Sequence, residues 1–269
     1  MIVCGAGDAH GKLTRMYDDI MEFERSLGIR FDWVLHVGDF GIWPDANEVD
    51  RATRKHGDVG DFPTWIREGT AIPRPTIFIK GNHEDFEWLS KRPSCQILTG
   101  LTYLPNGKVM ELGEGFRISG VGGCFGSSDY ERNSRDLRGY ARRHYTRDEV
   151  EAVGKLGHLD VLLLHDAPKG VEIVKRRGTG AKERYFSTAE GLDDALKRTR
   201  PKVCFFGHHH ARVDADVHGV TCLGLNMIGH PGSLVAVELS SDQAPAKVLG
   251  EWPKLAHWRG STLVDSEPQ

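Results

Sequence analysis

Residues 76–84 read Thr76-Ile77-Phe78-Ile79-Lys80-Gly81-Asn82-His83-Glu84, an apolar run that stops at a glycine and then delivers an amide, an imidazole and a carboxylate. β-branched and aromatic residues in an unbroken run ending at Gly predict a buried strand that turns sharply at its carboxyl end. The pattern recurs upstream, where residues 1–5 lead to Gly7-Asp8-Ala9-His10-Gly11 and residues 32–37 lead to Gly38-Asp39. It recurs downstream, where residues 160–164 run into His165-Asp166-Ala167-Pro168 and residues 202–206 into Gly207-His208-His209-His210. In open α/β sheets the loops at the carboxyl ends of strands converge on one crevice, so these five turns are expected to meet.

The intervening segments supply the rest of an α/β chain. Leu13, Met16, Tyr17, Ile20, Phe23 and Leu27 recur at helical spacing and predict an amphipathic helix. Residues 41–74 form a long connection, with short helices expected at 46–56 and around Trp65. Apolar runs at 96–98, 102–104, 108–112 and 116–121, separated by Gly and Pro-Asn-Gly signals, predict antiparallel strands or hairpins. Thr146-Arg147-Asp148-Glu149 is a capping box opening a helix to about Leu156. A basic loop and a helix at about 188–198 follow, then strands at 220–225 and 234–239. With no internal repeat or low-complexity linker, residues 1–250 read as one domain and 251–269 as a peripheral tail.

Composition narrows the class. A chain of 269 residues with 35 Lys+Arg against 38 Asp+Glu and 39% hydrophobic residues is globular, not disordered. Residues 219–237, near the C-terminus, contain no Asp, Glu, Lys or Arg but are broken by Gly224, Gly229, Pro231 and Gly232 and cannot span a membrane. Residues 1–4 lead straight into a glycine turn without the regions of a secretory signal, and the five scattered cysteines never form C-x-x-C. A cytoplasmic protein with reduced, mostly buried thiols is expected. The 13 histidines are the outlying number. Carboxylate and imidazole arriving in one crevice suit two divalent ions, with mixed O/N donors favouring Mn²⁺, Fe²⁺, Zn²⁺ or Co²⁺ over Ca²⁺.

The ordered series Asp8-x-His10, Gly38-Asp39, Gly81-Asn82-His83-Glu84, His165 and Gly207-His208-x-His210 resembles that of the calcineurin-like metallophosphoesterase superfamily. The resemblance spans residues 8–210. It implies an α/β (in some schemes α+β) fold with a two-sheet β-sandwich flanked by helices. It further implies that Asp8, His10 and His210 hold one ion, that Asn82, His165 and His208 hold a second, and that Asp39 bridges them. His209 is not carried over as a ligand. His83 is implied to face the scissile phosphate and protonate the leaving oxygen, oriented by Glu84 or a neighbouring acid.

Gly38-Asp39-Phe40-Gly41-Ile42-Trp43 departs from the G-D-x-V-D-R-G of phosphoprotein phosphatases. Closer likeness lies with RNA lariat debranching enzymes, through Gly38-Asp39-Phe40, residues 76–84, residues 117–125 followed by Ser128-Asp129-Tyr130, and Leu164-His165-Asp166-Ala167-Pro168. In that family the segment after the Gly-rich strand is a recognition loop, which implies an inserted recognition segment at about 127–147. Residues 132–147 hold six arginines against one acid, with Tyr140 and Tyr145 interleaved and Tyr130 just before. Guanidinium groups pair with phosphate and tyrosines stack on bases, so Tyr130, Arg142, Tyr145 and Arg147 are the candidate substrate contacts. A second basic stretch, Lys175-Arg176-Arg177 with Lys182 and Arg184, is placed to flank the same cleft. One mark of the debranching enzymes is missing, since they carry Cys where this chain has Asp8. The leading expectation is a binuclear-metal phosphodiesterase acting on RNA, another nucleic acid or a nucleotide. A broad phosphomonoesterase and a catalytically silent scaffold of the same fold are the alternatives.

Overall fold

The computed structural model describes residues 1–50, 53–56, 59–92, 95–176, 182–241 and 244–254. One seven-stranded sheet contains β1 (Ile2–Ala6), β2 (Trp33–His36), β3 (Thr76–Phe78), β4 (Gln96–Leu98), β5 (Leu101–Tyr103), β14 (Leu234–Glu238) and β15 (Lys247–Trp252), in the order β15-β14-β1-β2-β3-β5-β4. A six-stranded sheet contains β6 (Met110–Glu111), β7 (Arg117–Val121), β8 (Val161–Leu164), β11 (Val203–Phe206), β12 (Val213–Val217) and β13 (Val220–Gly224), in the order β12-β13-β11-β8-β7-β6. The expected two-sheet sandwich is therefore present, and helices cover both outer faces.

Period-two alternation explains the layering. Val161 and Leu163 of β8 point between the sheets and pack with Val3, Leu35, Ile77 and Phe205, while Leu162 and Leu164 point outward beneath helices. Both faces of this strand are dry, which is why it reads as a continuous apolar run. Helix α1 (Leu13–Leu27) lays Met16, Ile20 and Phe23 on the first sheet beside Cys4, Val34 and Phe78. It stops at Gly28, whose φ of 66° closes the left-handed C-cap. Helices α4 (Arg147–Gly154) and α5 (Leu192–Thr199) cover the second sheet with Val150, Val153, Leu192 and Leu196. The capping box at α4 forms as the sequence predicts, Glu149 Oε2 accepting from the Thr146 amide at 3.0 Å.

The structure also departs from the sequence reading. The basic loop after His165 is a hairpin, β9 (Glu172–Arg176) paired antiparallel with β10 (Lys182–Phe186). β12 was not expected, because the Val213–Val217 run alternates with two aspartates on a half-exposed edge and lacks an apolar block. The four runs at 96–121 form two antiparallel pairs as expected, β4 with β5 and β6 with β7, and β5 and β7 pair in addition in parallel with β3 and β8. Glu251 and Trp252 belong to β15, and Trp252 stacks on Phe23 at 6.0 Å, so the boundary drawn at residue 250 falls inside a strand. The remainder of the expected tail, 255–269, lies outside the described residues. Within the long connection, α2 (Phe62–Glu68) contains Trp65, preceded by 3₁₀ turns at Ala46–Glu48 and Thr53–His56. α3 (Phe86–Ser90) follows His83 directly. Cys4, Cys204 and Cys222 are buried, Cys95 is exposed, and all five cysteines are free thiols. Among the described residues, no helix is long and apolar enough to cross a membrane.

Candidate metal centre

β1, β2 and β3 run parallel side by side, as do β8 and β11 in the facing sheet. Their carboxyl ends therefore open on the same edge of the sandwich, and the five turns meet there as expected. Asp8, His10, Asp39 and His210 bring donor atoms within 4.8 Å of one another. His10 Nε2 lies 3.1 Å from His210 Nε2, and His210 Nε2 lies 3.0 Å from Asp8 Oδ2. On the other side, His165 Nε2 lies 2.8 Å from Asn82 Oδ1, and the His165 and His208 rings are 5.1 Å apart. Asp39 stands between the groups, its Oδ2 3.8 Å from His10 Nε2 and its Oδ1 3.6 Å from His165 Nε2.

The donor chemistry fits divalent cations. His165 Nδ1 is spent on the Val37 carbonyl at 2.8 Å, which leaves Nε2 as the ring atom that faces Asn82 Oδ1. An imidazole nitrogen and an amide oxygen this close in a buried site are both atoms that can ligate a divalent ion. Metal–ligand bonds of about 2.0–2.2 Å let donors at such separations share one ion. The backbone carbonyl on Nδ1 fixes the tautomer, the usual outer support of a ligating imidazole.

Local backbone geometry was specified at the same positions. Four of the seven non-glycine residues with positive φ among the described residues are His10, Asp39, His208 and His210, at 45°, 53°, 63° and 48°. Each left-handed residue costs roughly 1–2 kcal/mol, and such strain gathers where side chains must be aimed. A Cβ at Gly207 would sit 2.2 Å from Asp8 Oδ1, and one at Gly81 would sit 2.0 Å from Asp39 Oδ1. Both glycines make room for the two carboxylates. Asp39 Oδ1 then accepts from the amides of Asn82 and His83 at 2.7 and 2.8 Å, while Asp8 accepts from the His208 amide at 3.1 and 3.2 Å.

Electrostatics follow from burial and crowding. Burial alone would raise the Asp8 carboxyl, but the His210 hydrogen bond and the His210, His165 and His10 charges hold it well below the usual carboxylate range. Burial, reinforced by the neighbouring His165, pushes His208 down to about 4, which keeps its lone pair available. Burial likewise drives His36, beneath the site, down to about 3. Burial and the nearby Asp39 carboxylate push Glu84 up to about 8.

Three placements correct the sequence reading. Glu84 serves a different loop: its carboxylate accepts from the amides of Phe40, Ile42 and Gly41 at 2.8, 2.6 and 3.2 Å and holds the chain after Asp39. Thr53 Oγ1 lies 3.1 Å from His83 Nδ1. Tyr130 and Tyr145 are buried in the core of the second sheet, and the Tyr145 hydroxyl donates to the Glu190 carbonyl at 2.9 Å, so neither ring is offered to a base. Arg147 is an exposed ion pair with Glu131, and Arg142 Nε lies 3.4 Å from Glu87. The segment is fastened beside the site by Lys80, whose ammonium donates to the carbonyls of Arg142 and His144 at 2.7 and 3.1 Å. His209, left out of the ligand set, spends Nδ1 on Tyr185 and Nε2 on Asp166. Its neighbour Asp166 had no assigned role in the sequence, and only its position after His165 signalled one.

The calcineurin-like phosphoesterase family matches residues 1–212 of the chain. The lariat debranching enzyme of Drosophila pseudoobscura pseudoobscura is 28% identical over 228 residues, covering 78% of this chain and 42% of that protein. That of Drosophila melanogaster is 27% identical over 234 residues, covering 80% and 44%. That of Entamoeba histolytica is 25% identical over 254 residues, covering 88% and 72%. The chain thus spans less than half the length of the two fly proteins. With the match covering all five turns that build the centre, the chain belongs to the calcineurin-like phosphoesterase family.

Proposed function

We propose that the chain hydrolyses a phosphodiester of a nucleotide or nucleic acid at a two-metal centre, with Asp8, His10 and His210 holding one ion and Asn82, His165 and His208 the other. The observation that carries this reading is Asp39, each of whose oxygens addresses a different histidine cluster. When bound, two divalent ions supply Lewis-acid polarisation of a phosphoryl oxygen and a water acidic enough to be hydroxide near neutral pH. The residues of the chain aim, exclude water and move a proton. Asp39 is held by two backbone amides and Asp8 by a third, so neither carboxylate has to reorganise when substrate arrives. His83 has Nδ1 engaged by Thr53, which makes Nε2 the atom to give a proton to the leaving oxygen.

The likeness to lariat debranching enzymes supports a nucleic-acid diester over a small monoester. Mn²⁺, Fe²⁺ and Zn²⁺ all suit the donor set, and a cytoplasmic location is proposed from the free thiols. Hydrolysis of bis-p-nitrophenyl phosphate with Mn²⁺ tests the reading. Turnover should vanish with chelator and in Asn82→Ala and His165→Ala. Undiminished turnover in both variants would overturn it, and a strong preference for p-nitrophenyl phosphate would favour a monoesterase.

A further inference from the structure

The hairpin β9–β10 is tied to the metal centre by a chain of three side chains. Tyr185 Oη lies 3.0 Å from His209 Nδ1, and His209 Nε2 lies 2.9 Å from Asp166 Oδ1. Asp166 is anchored in turn by the amides of Phe125 and Ala167 at 2.9 and 2.8 Å. The His209 ring meets the His208 ring edge-on at 5.1 Å. No step of the proposed chemistry uses Tyr185 or His209. Their effect is to fasten a basic hairpin against the rim of the site.

The ladder sorts the hairpin's side chains into two faces. Lys175 pairs with Glu183 and Ile173 with Tyr185, so these four share one face. It is the inner face, because Ile173 is buried and Tyr185 reaches His209. Arg184 and Phe186 share the outer face with Glu172; Arg184 pairs with Glu172 at 2.8 Å, and Phe186 is 62% exposed. Lys175 Nζ lies 5.7 Å from the centroid of the Tyr185 ring, whose hydroxyl reaches His209, the residue between His208 and His210 in the sequence.

We propose that Lys175 is a specificity residue that engages a second phosphate of a single-stranded oligonucleotide whose scissile phosphate lies at the metal centre. The proposal deepens the phosphodiesterase reading and rests on it. A simple diester carries one negative charge, which the two ions take up. An oligonucleotide carries adjacent charges that need a further cation at the rim. Lysine suits that task, being a compact point charge with three rotatable donors on a flexible stem. The tyrosine face beneath it adds a modest cation–π attraction that keeps the ammonium inward. Glu183, opposite Lys175 in the ladder, competes with the phosphate for that charge.

The test is binding of a fluorescein-labelled single-stranded RNA tetranucleotide to the full chain, by anisotropy, with chelator present so that no bond breaks. Lys175→Met should weaken binding about tenfold and lower the slope of log affinity against log salt by about 0.7–1. Glu183→Gln should tighten binding. Arg184→Met, on the outer face, should leave it unchanged. In the Mn²⁺-loaded enzyme Lys175→Met should raise KM for the tetranucleotide about tenfold while leaving kcat/KM for bis-p-nitrophenyl phosphate within about twofold. Wild-type affinity in Lys175→Met, an equal loss in Arg184→Met, or no binding by the wild-type chain overturns the proposal. A chain that binds through Lys175 yet hydrolyses no phosphoester sinks the phosphodiesterase reading instead.

Discussion

Thr53 Oγ1 lies 3.1 Å from His83 Nδ1, joining a 3₁₀ turn of the long β2–β3 connection to the turn that carries the proposed acid. The two residues are 30 positions apart, and both are buried. Thr53→Val removes the partner of Nδ1 without changing shape. It should lower kcat by about tenfold with KM nearly unchanged, the signature of a group that matters only in the transition state. His83→Ala should cost about 10²–10⁴ on an oligonucleotide. The loss should be much smaller on a p-nitrophenyl ester, whose leaving group departs without a proton. Equal losses on both substrates would remove His83 from the role of acid.

Room for the carboxylates makes a second expectation. In Gly207→Ala the new methyl would collide with Asp8 Oδ1, and that atom is wedged in the interior. Overpacking of this kind costs typically about 1–3 kcal/mol, and here it also tilts a donor away from its ion. Thermal unfolding should shift downward, and the Mn²⁺ concentration needed for half-maximal activity should rise. A variant with wild-type metal dependence would show that Asp8 is not held as described.

Tyr145→Phe separates packing from recognition. The hydroxyl donates to the Glu190 carbonyl and the ring is fully buried, so its loss should reduce stability by about 0.5–1.5 kcal/mol in a urea titration. KM for an oligonucleotide should stay within about twofold. A large rise in KM with unaltered stability would restore Tyr145 to the substrate.

Away from the site, Glu24 gives a pH-dependent contribution whose sign is fixed. Burial would raise its carboxyl, but Arg74 donates to it at 2.7 and 2.9 Å and the Phe31 amide at 2.8 Å, and the net direction is downward from 4.5. A depressed folded value means stability that is fully present above pH 4.5 and fades as pH falls through the folded value. Glu24→Gln should therefore be less stable than wild type by about 1.5–3 kcal/mol at pH 7. The gap should close on acidification below pH 4.5. A gap independent of pH would point to shape alone.

Much of the architecture was legible because the strands that build the site are apolar runs that stop abruptly, four of the five at a glycine, before the ligand-type residues. The meeting of Asp8, Asp39, Asn82, His165 and His208 followed from parallel strands ending on one edge. What escaped was set by tertiary contact. Thr53 has no local signature as a histidine partner, and Glu84 beside His83 in sequence points the other way in space to the loop at Phe40–Ile42. Tyr130 and Tyr145 looked like stacking groups because arginines surround them, yet tyrosine is amphipathic and the second sheet's core took both rings. The hairpin carrying Lys175 and Tyr185 was hidden by charge, since its exposed outer face reads as a loop.

Metal stoichiometry tests the central claim most directly, because everything proposed for the site turns on Asp39 serving two ions. Chelator-treated chain reloaded with Mn²⁺ should retain two ions per chain by mass spectrometry of the intact complex. Asp39→Asn should lose tight binding at both positions, whereas His10→Ala should keep the ion on the Asn82–His165 side. One ion in the wild-type chain, or two ions held undiminished in Asp39→Asn, would contradict the two-metal account.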